Sequence, residues 1–440
     1  MVMDTTRAQR ERLKGYLDEM LATLGRSERR QWGDVYVRGL LATGGHKTTA
    51  SMAAHVSDGN VQAMQQFIGQ SPWPWDPLRK GLARRLVEAL HPVAAWVVDD
   101  TGFPKKGTHS VGVARQYSGT LGKIGNCQVA VSLHYATDDA AVPLDFALYL
   151  PEEWLEEERR QKAGIPEDVT FQPKWALALA LIDRAMAWEI PRGVVSADAG
   201  YGNITEFRTG LAERKLLFVV GVQNTTTVWV DSGNLVAPSQ VRRGRPRRKP
   251  LEVGASMSVA EVSQSWPQER WQRVTWRKGT RGPMTSRFGA TRVLPSHSYQ
   301  HGGTKEETLW LLAEWPEAEI APTKFWLANL PGDTSLLSLV RLAKIRWWIE
   351  QGYQQLKDEL GLDHYEGRFW QGWHHHVTMT MMAFGFLTLE NLYVKKKLLD
   401  SAGLCRGCAV NSSACSPAGQ EYVPSAARSS AGAWTHLNLT

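Results

Sequence analysis

The chain has 440 residues, with 43% apolar and 22% charged content; this is an ordinary globular composition, long enough for two or three units and a well-buried core. With 51 Lys and Arg against 44 Asp and Glu, the net charge of +7 suits a polyanionic partner without requiring one. Four cysteines exclude a disulfide framework, and the start MVMDTTRAQRERLK lacks the pattern of a secretion signal, so a reducing, cytoplasmic setting is expected.

Residues 1–92 read as a helical N-terminal region. RERLKGYLDEMLATL and VQAMQQFIGQ carry apolar residues at helical spacing, and RKGLARRLVEALHP places four basic residues on an amphipathic helix. Such a unit suits either DNA-end binding or plain packing. From residue 93 strands take over. AAWVVDD, NCQVAVSLHYA and VPLDFALYL are followed by the helix KWALALALIDRAMAWE, the strand RGVVSADAGYG, the helix ITEFRTGLAERK and the strand KLLFVVGVQ. The first strand is expected to end at Asp99 and Asp100, and the fourth at Asp198. Residues 93–221 thus give three strands, helix, strand, helix, strand, the order of an α/β, ribonuclease-H-like mixed sheet with flanking helices. Cys127 reads as a small buried apolar residue.

Residues 222–333 alternate apolar and polar side chains between Gly, Pro and Ser, and read as a β-rich insertion in that core. Inside it, VRRGRPRRKP holds six basic residues within 242–250. Arg243 and Arg245, on either side of Gly244, form a candidate minor-groove hook; plain phosphate contact and a solvated loop are the other readings. Residues 334–397 complete the core with the helical RLAKIRWWIEQGYQQLKDEL and the apolar VTMTMMAFGFLTL, which is too short to span a bilayer, so no membrane partner is expected. Residues 398–440 are rich in Ser, Ala and Gly without periodicity and are expected to be disordered. Their Cys405, Cys408 and Cys415 have only His436 as a fourth zinc donor, at poor spacing. The 19 tryptophans cluster with basic residues and suit either stacking on bases or core packing.

Taken as one α-helix, the 341–360 segment points Arg346, Glu350 and Lys357 to about 0°, 40° and 20° around its axis, with Tyr353 at about −20°. Leu342, Ile345, Ile349, Leu356 and Leu360 form an apolar stripe alongside. An acid between two bases at the edge of a buried stripe suits gripping a metal ion and a phosphate chain, although an exposed i, i+4 ion pair gives the same spacing. Strand end, strand end, helix then collects Asp100, Asp198 and Glu350. Phosphodiester chemistry calls for two Mg²⁺ ions about 4 Å apart, with Mn²⁺ as a substitute, held by carboxylate oxygens. Asp100 is assigned the bridging place. Asp99 is the competing candidate, because strand alternation lets only one of the pair face the site.

WVVDDTGFPKKG, VVSADAGYGN and RWWIEQGYQQLKDELGLDHYEGRFWQGWHHH resemble the three catalytic blocks of bacterial insertion-sequence DDE transposases. The likeness is to the group whose last block reads Y-x-x-R-x-x-x-E-x-x-x-x-x-x-K and whose second Asp and Glu are separated by a β-strand insertion. It extends over roughly residues 10–395. The resemblance implies that Asp100, Asp198 and Glu350 are catalytic metal ligands and that Arg346 and Lys357 hold the DNA strand. It further implies metal-dependent cleavage at element ends and strand transfer into target DNA, cut-and-paste, by a homodimer on double-stranded DNA. The signature Tyr position holds Ala343, so that contact is absent or passes to Tyr353. A nuclease of the same core without strand transfer, or an impaired DNA-binding remnant, are the alternatives. The likeness fades near Val394–Lys397, which suggests a frameshift or truncation read through the lysine run.

Overall fold

The computed structural model describes residues 2–42, 45–230, 235–236, 251–252, 256–279, 282–296 and 308–401. Helical spacing of apolar residues builds α1 (Val2–Leu21), α2 (Ser27–Leu41), α3 (Thr49–Ala54), α4 (Val61–Gly69) and α5 (Asp76–Leu90). In α1, Leu13, Tyr16, Leu17 and Met20 all turn to one buried face. Thr48 and Asn60 start α3 and α4 by accepting the Ser51 and Ala63 amide protons. Of the four basic residues on α5, Arg79 is fully buried and ion-paired to Asp145 at 2.8 Å, so it is unavailable to a ligand.

The chain then runs through β1 (Ala95–Pro104), β2 (Ala114–Ser118), β3 (Lys123–Ala136), β4 (Ala141–Leu148), α6 (Glu157–Ala163), α7 (Lys174–Ala187), β5 (Val194–Ala197), α8 (Ala199–Gly202), α9 (Thr205–Glu213) and β6 (Phe218–Val222). Strand order β4-β3-β1-β5-β6 forms the centre, antiparallel among the first three and parallel from β1 through β5 to β6. This is the ribonuclease-H-like mixed sheet, and it carries one extra strand. The long β3 pairs β4 with its C-terminal half and β2 with its N-terminal half. Cys127 is buried on β3, as its apolar surroundings in the sequence suggest.

Beyond β6 come β7 (Thr227–Trp229), the short pair β8 (Leu235–Val236) and β9 (Leu251–Glu252), β10 (Met257–Ser258), α10 (Val259–Gln264), β11 (Gln272–Gly279), β12 (Gly282–Pro295), β13 (Leu309–Trp315) and β14 (Lys324–Ala328). β14 lies antiparallel to β6, and through it β13, β12, β7 and β10 prolong the central sheet, with β11 on the side of β12. The last elements are α11 (Leu336–Lys344), α12 (Trp347–Gln354), a π-helical turn (Gln355–Glu359) and α13 (Trp370–Ser401).

α13 is buried on every side from Trp373 to Leu387, the pattern of a helix surrounded by protein. It packs against α2, α4, α5 and β4, so the N-terminal helices and the sheet share one hydrophobic core. Among the described residues it is the one helix long and apolar enough to cross a membrane, and 67% of that stretch is buried inside the protein. Its three histidines are buried, and burial pulls His375 and His376 down to about 4; they are neutral packing groups.

Candidate active site

Two strand registers decide which aspartates meet. β1 and β5 run parallel with Ala95 beside Val194, Trp96 beside Val195 and Val97 beside Ser196. Two residues further on, the same register sets Asp99 beside Asp198, and partners in a parallel pair share a face. Across the antiparallel neighbour, Asp99 pairs with Ser132, whose hydroxyl meets the Tyr353 hydroxyl at 2.5 Å. α12 therefore covers the Asp99 face. Asp100 points to the other face, where the Lys174 ammonium at the start of α7 donates to its carboxylate at 2.6 Å. The two aspartates therefore face opposite ways, as alternation requires, and it is Asp99, the competing candidate, that shares a face with Asp198 and α12. Nor are these aspartates at a strand end: pairing with β3 continues to Pro104, which leaves them mid-strand.

Asp198 does sit at the end of its strand. It caps α8, its Oδ1 accepting the amide protons of Gly200 at 2.9 Å and Tyr201 at 3.3 Å. Gly202 holds this turn close to β6; any Cβ there would collide with the Gly221 carbonyl. Asp198 is thereby fixed at the sheet edge, half-buried.

The 341–360 segment is not the single helix that its periodicity suggests. It breaks at Ile345–Arg346 between α11 and α12, and winds into the π-turn after Gln354. Arg346 takes the N-cap place of α12, from which its guanidinium donates to Asp99 Oδ2 at 3.1 Å. Glu350 lies one turn on and is exposed, within electrostatic reach of Arg346. Lys357, carried on the π-turn, points inward: its ammonium donates to the Gly102 carbonyl at 2.8 Å and to Thr120 Oγ1 at 2.9 Å. The expected Lys357 grip on DNA is therefore not what this side chain does here; it ties α12 to β1. Tyr353 is also buried, its hydroxyl in a chain with Ser132 Oγ and His134 Nε2, so it cannot replace the signature Tyr on DNA. The position of that signature residue, Ala343, is packed among Val219, Leu312, Leu339 and Val340.

The electrostatics follow from this placement. Burial raises the Asp99 carboxyl to about 6; Arg346 opposes the shift, and Asp198 and Asp100 add to it. Burial disfavours the Arg346 charge, but Asp99, Asp198 and Glu350 outweigh it and hold the guanidinium charged. Tyr201 was not singled out by motif. It is buried on α8 with no hydrogen-bond partner for its hydroxyl, and Asp100, Asp99 and Asp198 all act on it through space. Lys174 was equally hidden, because its helix is recognisable only by apolar spacing. Among the described residues no group of three or more His, Cys, Asp and Glu side chains is close enough to hold a metal ion. Asp99 and Asp198 come together on one face, while Glu350 faces outward.

Arg243 and Arg245 lie outside the described residues, as do Cys405, Cys408, Cys415 and His436 and the tail from 402. Among the tryptophans, Trp73, Trp96 and Trp373 are core residues, whereas Arg277 lies over Trp347 at 3.3 Å and Arg287 over Trp315 at 4.0 Å.

Comparison with known proteins adds to the geometry. The sequence pattern of the family described as "DDE superfamily endonuclease" matches residues 19–283, which include Asp99, Asp100 and Asp198. The chain is also 25% identical over 322 residues to the "Probable transposase for insertion sequence element IS701" of Microchaete diplosiphon, an alignment covering 72% of this chain and 71% of the relative.

Proposed function

The chain belongs to the DDE superfamily of endonucleases, enzymes acting on DNA, and from that premise we propose that it is an insertion-sequence transposase that cleaves element ends and joins them to target DNA. The observation that carries the reading is the register that sets Asp99 beside Asp198 on adjacent parallel strands, with Arg346 bonded to Asp99 and in electrostatic reach of Asp198, and Glu350 one turn on from Arg346. Asp99, Asp198 and Glu350 are the proposed catalytic carboxylates, with Asp99 in the place first given to Asp100.

Asp99 and Asp198 offer hard carboxylate oxygens, and Asp198 pushes the Asp99 carboxyl upward, which is the electrostatic demand of a site built for added positive charge. A divalent cation such as Mg²⁺ or Mn²⁺ held there supplies stabilisation of the reacting phosphate oxygens and an activated nucleophile. Glu350 completes the donor set only by turning inward from its exposed position. Arg346 neutralises part of the carboxylate charge and holds Asp99 in place. Lys357 and Tyr353 fix α12 against β1 and β3 beneath it. Joining two element ends requires two such sites, so the active complex is proposed to be a homodimer on DNA, with the N-terminal helices contacting the ends.

The test is a strand-transfer assay with the full chain, Mg²⁺ or Mn²⁺, and duplexes bearing the inverted repeats read from DNA flanking the gene. Joined product, lost in Asp99→Asn and Asp198→Asn, is expected. Nicking without joined product would favour a simple nuclease, and binding without cleavage an impaired remnant.

A further inference from the structure

Between Thr101 and Thr137 the chain has no Asp or Glu, but it has Lys105, Lys106, Arg115 and Lys123. This stretch contains the end of β1 and the hairpin β2–β3. Register places Tyr117 opposite Ile124 and Arg115 opposite Asn126, so these four share one face of the hairpin. Tyr117 is 62% exposed and Ile124 60%, a cross-strand apolar pair open to solvent; Arg115 on the same face, Lys123 on the opposite face at the turn, and Lys106 before β2 are exposed as well. Lys105, by contrast, is taken up by the carbonyls of Asp363 and Tyr365.

An exposed hairpin of this kind would ordinarily be loose, but here it is braced to the carboxylate strand. Thr120 Oγ1 at its turn donates to the Gly102 carbonyl at 3.2 Å, and the Lys357 ammonium joins both groups. Asn126 holds the loop before β2 by donating to the carbonyls of Lys105 and Gly107 at 2.7 and 2.8 Å. Gly102, where this brace attaches, is three residues along β1 from Asp99. The hairpin is thus tied to the strand that bears the first proposed carboxylate, with apolar side chains near its tip and only positive charge in its own sequence.

We propose that the β2–β3 hairpin is a DNA-contacting wedge: Tyr117 and Ile124 press against bases of the duplex beside the cleaved phosphate, while Lys106, Arg115 and Lys123 meet its phosphates. The proposal rests on the reading of the chain as an enzyme that cuts element ends. The charge argues for a nucleic acid over a second copy of this chain, since like hairpins would repel. Aromatic contact with bases, added to cationic contact with phosphate, is the combination that grips opened or bent DNA.

The test uses the full chain and a duplex ending in the flanking inverted repeat, with 2-aminopurine beside the cleavage position. Wild type is expected to bind and change the probe's fluorescence. Tyr117→Ala with Ile124→Ala should fold normally, bind roughly ten-fold more weakly and leave the probe unchanged. Arg115→Ala and Lys123→Ala should each lower the slope of log affinity against log salt by about 1. Wild-type affinity, salt slope and probe response in all of these variants would overturn the wedge while leaving the DNA reading intact. An effect of the apolar pair on self-association without DNA would overturn it in favour of a protein interface. Failure of the wild type to bind any duplex would overturn both readings.

Discussion

Replacing Asp99 and Asp100 one at a time separates them by their electrostatics without relying on catalysis. In the metal-free protein the Asp99 carboxyl is raised to about 6 from an ordinary 3.8, mainly by burial. A carboxyl with a raised folded pKa makes the native state hold a proton that the unfolded state has released. Its contribution to stability is therefore greatest below about 4 and is lost as pH rises through 6. At about 1.36 kcal/mol per unit, roughly two units amount to about 3 kcal/mol, of which roughly half is lost between pH 5 and 7.5. For 440 residues, at about 2.1 cal/mol/K each, the full loss corresponds to roughly 3 °C in Tm. Asp99→Asn removes the titration, so its Tm relative to wild type should climb as pH rises from 5 to 7.5, measured by calorimetry in EDTA. Adding Mg²⁺ at pH 7.5 should raise the Tm of wild type and of Asp100→Asn but not of Asp99→Asn, because a ligand stabilises only what binds it. Parallel pH curves for wild type and Asp99→Asn, or an Mg²⁺ response lost in the Asp100 variant instead, would refute the assignment of Asp99.

Three further substitutions probe the surroundings. Lys357→Met strands the Gly102 carbonyl and Thr120 hydroxyl and should cost about 2–3 kcal/mol in denaturant unfolding, with the salt slope of DNA binding unchanged; a slope lower by about 1 would restore Lys357 as a phosphate contact. Ala343→Tyr restores the signature residue, but the site is filled by Val219, Leu312 and Val340, so overpacking of about 1–3 kcal/mol is expected, and a stabilised variant would contradict the packing. Asp145→Asn leaves the fully buried Arg79 without its ion partner and should cost about 3–5 kcal/mol by thermal unfolding; a loss below about 1 kcal/mol would mean that the Thr378 hydroxyl and the Phe146 and His374 carbonyls suffice to hold Arg79 in place.

The order of the central elements was legible because buried parallel strands and amphipathic helices have different periods, and residues 93–221 switch cleanly between them. The reach of β1 was not. Thr101–Gly102–Phe103–Pro104 has turn-like composition, and only the partner residues Ala130 to Cys127 on β3 draw it into the sheet. Which of Asp99 and Asp100 shares a face with Asp198 was illegible for a related reason. Alternation requires that one face each way, but β1 is buried on both faces, so no polar side chain marks which face is which. Its phase is set by Ser196 and Ser132, residues remote in sequence. The helical wheel for 341–360 failed where tertiary forces act: no Pro or Gly marks the break at Ile345–Arg346, and the partner of Arg346 is Asp99, far upstream.

That broken helix changes what the Arg, Glu and Lys spacing means. On one continuous helix the three would form a single DNA-gripping face. Here they serve in three directions: Arg346 toward the carboxylates, Glu350 toward solvent, and Lys357 down onto β1 and the hairpin turn. The charges explain why this division suits a cation-binding site. Asp99 and Asp198 bring two negative charges and Arg346 one positive, leaving a single net negative charge that binds a divalent ion weakly. Glu350 turned inward would add the second, which matches a divalent ion. On the proposed site, metal binding and the completed carboxylate set would be coupled: Glu350→Gln should weaken Mg²⁺-dependent stabilisation of the fold while leaving the metal-free Tm unchanged. An equal Mg²⁺ response in both proteins would exclude Glu350 from the set.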